Sequence, residues 1–174
     1  VPLTVADLAN HMRAPVPDPG TQAAVDMQRA LDTAVQETTR ATGILDAVTV
    51  TVQVALDRND SSLRLPYVRL ASIGTVTDPG GVVVAPYKVD ALAGIVDLLY
   101  VGWSTTLGEW SVVCTGRGWP AALVTAALDW AAHLYDVHRT RTNPVDDNDE
   151  PPPSYALPNR VEELLRPYRL AGVA

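Results

Sequence analysis

The residues that could do chemistry are few and scattered. Asp129 and His133 stand four apart in a stretch with helical periodicity, the spacing at which two side chains meet on one helix face. Most such pairs are surface hydrogen bonds, and a nucleophile would need a base nearby that the sequence does not nominate. The one thiol, Cys114, alternates with Trp110 and Val112 as an inward strand position does, which marks it as a buried apolar thiol. His133 and His138 are five apart, about 140° around a helix, and cannot share a metal. A lone cysteine makes neither an intrachain disulfide nor a cysteine-based metal site. The run Asp146-Asp147-Asn148-Asp149-Glu150 resembles the start of a calcium loop, yet it lacks the glycine at the sixth position, and Leu157 stands where a bidentate Glu must close it. Gly116-Arg117-Gly118 lacks the third glycine and the Gly-Lys-Ser/Thr of a phosphate cradle. Asn59-Asp60-Ser61 matches a glycosylation acceptor by chance, in a polar turn. Catalytic residues, metal ligands and cofactors are therefore expected to be none.

Composition narrows the classes further. Of 174 residues, 47% are hydrophobic and 19% charged, enough for a core without metals or disulfides. Folding at this length buries roughly 70% of the extended chain's surface. Thirteen basic residues against twenty acidic ones leave a net charge of -7, and Lys88 is the only lysine. Tight non-specific DNA binding needs clustered Lys and Arg to displace counterions, and this balance argues against it. No window holds eighteen uninterrupted apolar residues, so no membrane span is expected. Val1-Pro2-Leu3-Thr4 has no basic region and no long apolar stretch, so a secretory signal is not expected either; synthesis in a reducing intracellular compartment is.

The elements that must position these residues change period twice. Thr4 and Asp7 form a capping-box-like start to a short helix reaching about Met12. Pro15, Pro17, Pro19 and Gly20 stop it. From Thr21, the positions Ala24, Met27, Leu31, Ala34, Thr38 and Ala41 recur at spacings of three and four, a helix of about six turns that Gly43 is placed to end. Val48, Val50, Val52, Val54 and Leu56 then alternate with small and polar residues, the pattern of a half-buried strand. Short strands are predicted at Leu63–Leu65, Ser72–Thr77, Val82–Val89, Ile95–Val101 and Glu109–Thr115, with Asp78-Pro79-Gly80-Gly81 as the clearest turn.

Helix returns at Pro120 with two apolar seams. Leu123, Ala127, Trp130, Leu134 and Val137 form one; Val124, Leu128, Ala131 and Tyr135 form the other. Either this helix is a central one packed on both sides, or the second seam is a subunit interface. Residues 143–158, acidic and then Pro-rich, read as an extended linker. Beyond them Asn159 is placed to cap a short helix carrying Val161, Leu164, Leu165 and Tyr168, interleaved with Arg160, Arg166 and Arg169. A helix this short must lie against its own domain or a partner. The fold class expected is α+β: a helical bundle core of two long helices and a short N-terminal one, an inserted small antiparallel β-sheet, and a tethered C-terminal helix.

The order of these elements resembles the head-to-tail adaptor, or connector, proteins of long-tailed bacteriophages. Leu63-Arg64-Leu65-Pro66, leading through Ser72-Ile73 to Val76 and Asp78-Pro79-Gly80-Gly81, is similar to that family's centre. Trp110-Ser111-Val112-Val113-Cys114-Thr115-Gly116, followed by Trp119-Pro120-Ala121-Ala122-Leu123 and then Ala131-Ala132-His133-Leu134, resembles its lead into the last core helix. Val113 and Cys114 stand where members often carry Tyr and Thr. Leu157-Pro158 with Arg160-Val161-Glu162-Glu163-Leu164-Leu165-Arg166-Pro167-Tyr168-Arg169 resembles the tails of actinophage members.

The resemblance implies a structural protein of the virion neck, at the head-tail interface, that is in the host cytoplasm during assembly. It implies a homo-oligomeric ring matching the twelvefold portal protein, meeting a head-tail stopper or the next neck ring, and passing genomic DNA without sequence-specific binding. Its organisation would be an adaptor core at 1–142 with the sheet insertion at about 46–116, a linker at 143–158 and a docking element at 159–174. Arg160, Val161, Leu164, Leu165, Arg166, Tyr168 and Arg169 would dock on the portal. Alternatives are another neck component, a stopper or tail terminator, and a small α+β enzyme or ligand-binding domain built on Asp129, His133 and Cys114.

Overall fold

Thr4 opens the first helix as its sequence predicts. Its hydroxyl accepts from Asp7 N–H at 3.2 Å, and its own N–H donates to the Asp7 carboxylate at 2.8 Å. Helix α1 spans Val5–His11. The computed structural model describes residues 2–56, 61–98, 108–142 and 157–169. The chain divides into two units, one helical (Leu3–Thr42 with Pro120–Ala174) and one of strands (Val1–Pro2 with Gly43–Trp119). Most of the acidic linker, the turn at 57–60 and the far end of the strand expected at Ile95–Val101 lie outside the described residues.

In the helical unit α2 runs Gln22–Thr42 and α3 runs Ala121–Thr142. Thr21 caps α2 by accepting from Ala24 N–H at 3.3 Å, and Gly43, at φ 65, ends it in a conformation that costs glycine nothing. Of the α2 stripe Met27, Leu31, Ala34 and Thr38 are buried and Ala24 and Ala41 half-buried, with Ala30 and Thr42 buried beside them. Leu8, Ala9, Met27, Leu31, Ala34, Leu128 and Ala131 make one core cluster, with Val124, Trp130, Leu134 and Tyr135 packed against it. Helix α4, Asn159–Leu165, continues into a 3-10 turn at Arg166–Tyr168. Asn159 is its first helical residue, not its cap. Pro158, extended at φ -59 and ψ 139, takes the cap position, and its carbonyl accepts from Glu162 N–H at 3.1 Å.

The strand unit holds β1 (Thr49–Leu56), β2 (Ser62–Arg64), β3 (Leu70–Thr77), β4 (Val83–Val84), β5 (Lys88–Asp90), β6 (Ile95–Asp97) and β7 (Gly108–Gly116). Among the described residues they form two small antiparallel sheets, ordered β1-β7-β3-β4 and β2-β6-β5. The strand predicted over Val82–Val89 is two strands, one in each sheet, divided at Ala85–Pro86. Proline has no N–H for a ladder, so it ends the pairing there. Asp78 closes the β3–β4 turn by accepting from Gly81 N–H through its carbonyl and from Val82 N–H through Oδ1. The core gathers Leu45, Leu56, Leu63, Leu70, Val76, Val96, Trp110, Val112 and Cys114.

The chain's two crossings into this unit lie side by side. Trp119 Nε1 donates to the Ile44 carbonyl at 2.8 Å, and Gly116 N–H to that of Val48 at 2.9 Å. A Cβ at Gly116 would run into the Asp46 carbonyl and the Leu45 side chain, so glycine is required by space. No helix among the described residues is long and apolar enough to cross a membrane.

Candidate functional site

In the helical unit, the C-terminal helix is seated on its own bundle. Val161 and Leu165 are fully buried, Leu164 and Tyr168 half-buried, and Arg166 exposed. Helix α4 packs chiefly on α3 and also touches α2. A groove beside it is lined by Glu37, Arg40, Trp130, Leu157, Leu165 and Arg169.

Asp129 holds this arrangement from α3. Its Oδ1 lies 2.7 Å from His11 Nε2 on α1, and its Oδ2 lies 3.1 Å from Arg160 Nε on α4. The Arg160 contact is an ion pair rather than a well-aimed hydrogen bond, and with the Arg160 side chain 73% exposed it contributes at most about 1 kcal/mol. Spacing within α3 points to His133 as the neighbour of Asp129. The partners from α1 and α4 are 118 and 31 residues away in sequence, and no local periodicity could have named them. A carboxylate bridging a histidine and an arginine fastens three helices. Arg169 pairs with Glu162 at 3.6 Å.

Of the second α3 seam, Leu128 and Ala131 belong to the helical core and Val124 and Tyr135 pack on it. Leu128 and Ala131 are buried there, while Val124 and Tyr135 are half-buried. Cys114 is fully buried, and burial pushes its thiol up to about 11, so at neutral pH it is a packing group and no nucleophile. No cluster of three or more His, Cys, Asp or Glu that could hold a metal occurs among the described residues.

The strand unit offers surface of another kind. Val82, Val83, Tyr87 and Leu92 are 61–73% exposed. Sequence patterning had placed Val82 and Val83 in a strand without showing that the strand is an edge.

No protein-family model matches the chain, and no curated protein matches it. Solved structures do. A chain in the neck of an empty gene transfer agent particle, computed with C6 symmetry, aligns with a TM-score of 0.65 at 18% identity, covering 99% of this chain and 92% of that one. A chain from the virion of the native gene transfer agent particle gives 0.64 at 18%, with 99% and 92% covered. One from the neck of the native particle, computed with C12 symmetry, gives 0.64 at 18%, with 99% and 91% covered. This chain has their fold. The likeness runs nearly end to end on both sides, so it takes in both units, while the surfaces that matter must be read from this chain's own residues.

Proposed function

We propose that this chain is a structural, non-enzymatic protein of a phage-like neck, and within it the head-to-tail adaptor that forms a ring beneath the portal and extends the DNA channel. The observation that carries the reading is the near full-length fold shared with chains of gene transfer agent necks. The net charge of -7 supports it independently, because a channel wall poor in basic residues lets DNA slide without binding its phosphates.

In this reading α4 meets the portal. Leu164, Arg166, Tyr168 and Arg169 present the docking face while the helix is seated; Val161 and Leu165, buried in that seat, and Arg160 would join it only if the helix left it. A dozen weak contacts of this kind in one ring add up through effective concentration.

The test is co-assembly with the portal ring of the same genome, read by electron microscopy. The intact chain is expected to add a second ring to one end of the portal, and the Arg166→Glu, Arg169→Glu double variant to lose it while keeping its helical circular dichroism. A ring that forms on tail tubes and never on the portal would replace the adaptor reading with that of a tail terminator.

A further inference from the structure

Among the described residues the four-stranded sheet ends in β1 on one side and β4 on the other. The register of β1 on β7 is unbroken from Thr49↔Thr115 to Leu56↔Gly108. Gly116 N–H donates to the Val48 carbonyl. By antiparallel alternation Val50, Val52 and Val54 then exchange bonds with β7, and Thr49, Thr51 and Gln53 aim their N–H and C=O groups outward. Among the described residues no other strand takes those groups. The side chains of all three are exposed.

Natural sheets protect such edges with lysine, proline, a bulge or a very short strand. β1 has eight residues and none of these devices. β4 has two residues with Pro86 close behind. Of the two, Val83 aims its N–H and C=O away from β3, so pairing there centres on Val83. Residues 47–56 carry no charge, and neither do residues 82–87 around β4. Copies of a -7 chain repel one another over most of their surface, so two uncharged edges are where they approach at least cost.

We propose that copies of this chain join edge to edge, β1 of one copy adding to β4 of the next to continue the four-stranded sheet. Opposite edges of one sheet make a heterologous contact, which does not stop at a dimer but closes into a ring or runs on as a filament. Exposed Val82 and Val83 supply the apolar contact on the β4 side. The pairing rests on the ring reading above only for its closure.

The full chain carrying Thr51→Cys and Val83→Cys is treated with a short bis-maleimide, with sedimentation read in parallel; buried Cys114 stays silent. A ladder of covalent species beyond the dimer is expected from the double variant alone. Thr51→Pro removes an outward N–H at a position where an edge strand tolerates proline. It is expected to keep the circular dichroism of the fold and weaken self-association about tenfold or more. If Thr51→Pro does not fold, Thr51→Lys makes the same test through charge. Covalent dimers from Thr51→Cys alone would mean β1 pairs with β1, and overturn the proposal. Self-association without a ladder would overturn the edge pairing and leave the ring reading standing. A chain that stays monomeric both alone and with portal rings would overturn both.

Discussion

The two units handle their surfaces in opposite ways. In the helical unit the fourth helix covers apolar side chains of its own chain, and Asp129 ties α1, α3 and α4 together. The strand unit holds Val48, Val82, Val83, Tyr87, Val89 and Leu92 out to solvent, six of the eight exposed large hydrophobic residues among those described. A helix meets its own backbone hydrogen bonds, so a bundle is finished once its apolar stripes are covered. An open sheet ends in strands whose outer donors and acceptors have no partner within it. Among the described residues, then, the bundle covers most of its own apolar stripes, and the exposed apolar side chains are concentrated on the strand unit.

The harshest test of that contrast is Leu128→Asp. If the second α3 seam is core, an unpartnered carboxylate there costs about 4 kcal/mol or more and the helical signal at 222 nm melts far earlier. Wild-type melting with lost assembly would instead make the seam an interface and erase the difference between the units. Gly116→Ala strikes the strand unit. A methyl forced against the Asp46 carbonyl is expected to cost about 3 kcal/mol, seen in urea unfolding and in faster hydrogen exchange along β1 and β7. A neutral result would mean that the Leu45–Asp46 backbone yields easily.

These two positions also mark where the sequence was legible. Every helix of the bundle, its cap at Thr4 and its buried stripe follow from 3.6-residue spacing, because local period and burial agree there. The strands show in the alternation of Val50, Val52 and Val54 and in the Asp78-Pro79-Gly80-Gly81 turn. Strand order does not show, since it is decided by contacts such as Ile73 with Cys114 that lie far apart in sequence. For the same reason α4 was legible as an amphipathic element while its seat was not. Val161 and Leu165 look alike whether the face they cover belongs to this chain or to a partner, and only the fold brings Arg160 to Asp129.

Smaller effects separate the units by pH. Hydrogen bonds from Thr4 to the Asp7 carboxylate hold Asp7 below its ordinary pKa. A depressed folded pKa gives stability that is present above about 3.8 and lost as pH falls through the folded value. Thr4→Ala is expected to cost about 1 kcal/mol at neutral pH and to flatten the acid side of the stability profile in urea titrations. A loss of the same size from pH 2 to pH 7 would show that the cap acts without the carboxylate.

Cys114 works at the other end of the scale and in the other unit. Its folded thiol is raised to about 11 from 9.0, because burial disfavours the thiolate. The folded state therefore keeps a proton that the unfolded chain gives up. The stability this contributes is complete below pH 9.0 and is lost as pH rises through about 11. Cys114→Ala should lower stability slightly at pH 7 through the small cavity it leaves, and should show a flatter decline above pH 9.0 than the wild-type chain. Maleimide labelling at pH 8 gives the kinetic counterpart. Labelling is expected only as fast as the strand unit opens, and Gly116→Ala, which loosens that unit, should speed it while Thr4→Ala does not. Equal acceleration by both variants would mean that the two units open together, and the contrast between a covered bundle and an open sheet would then describe their surfaces but not their stabilities.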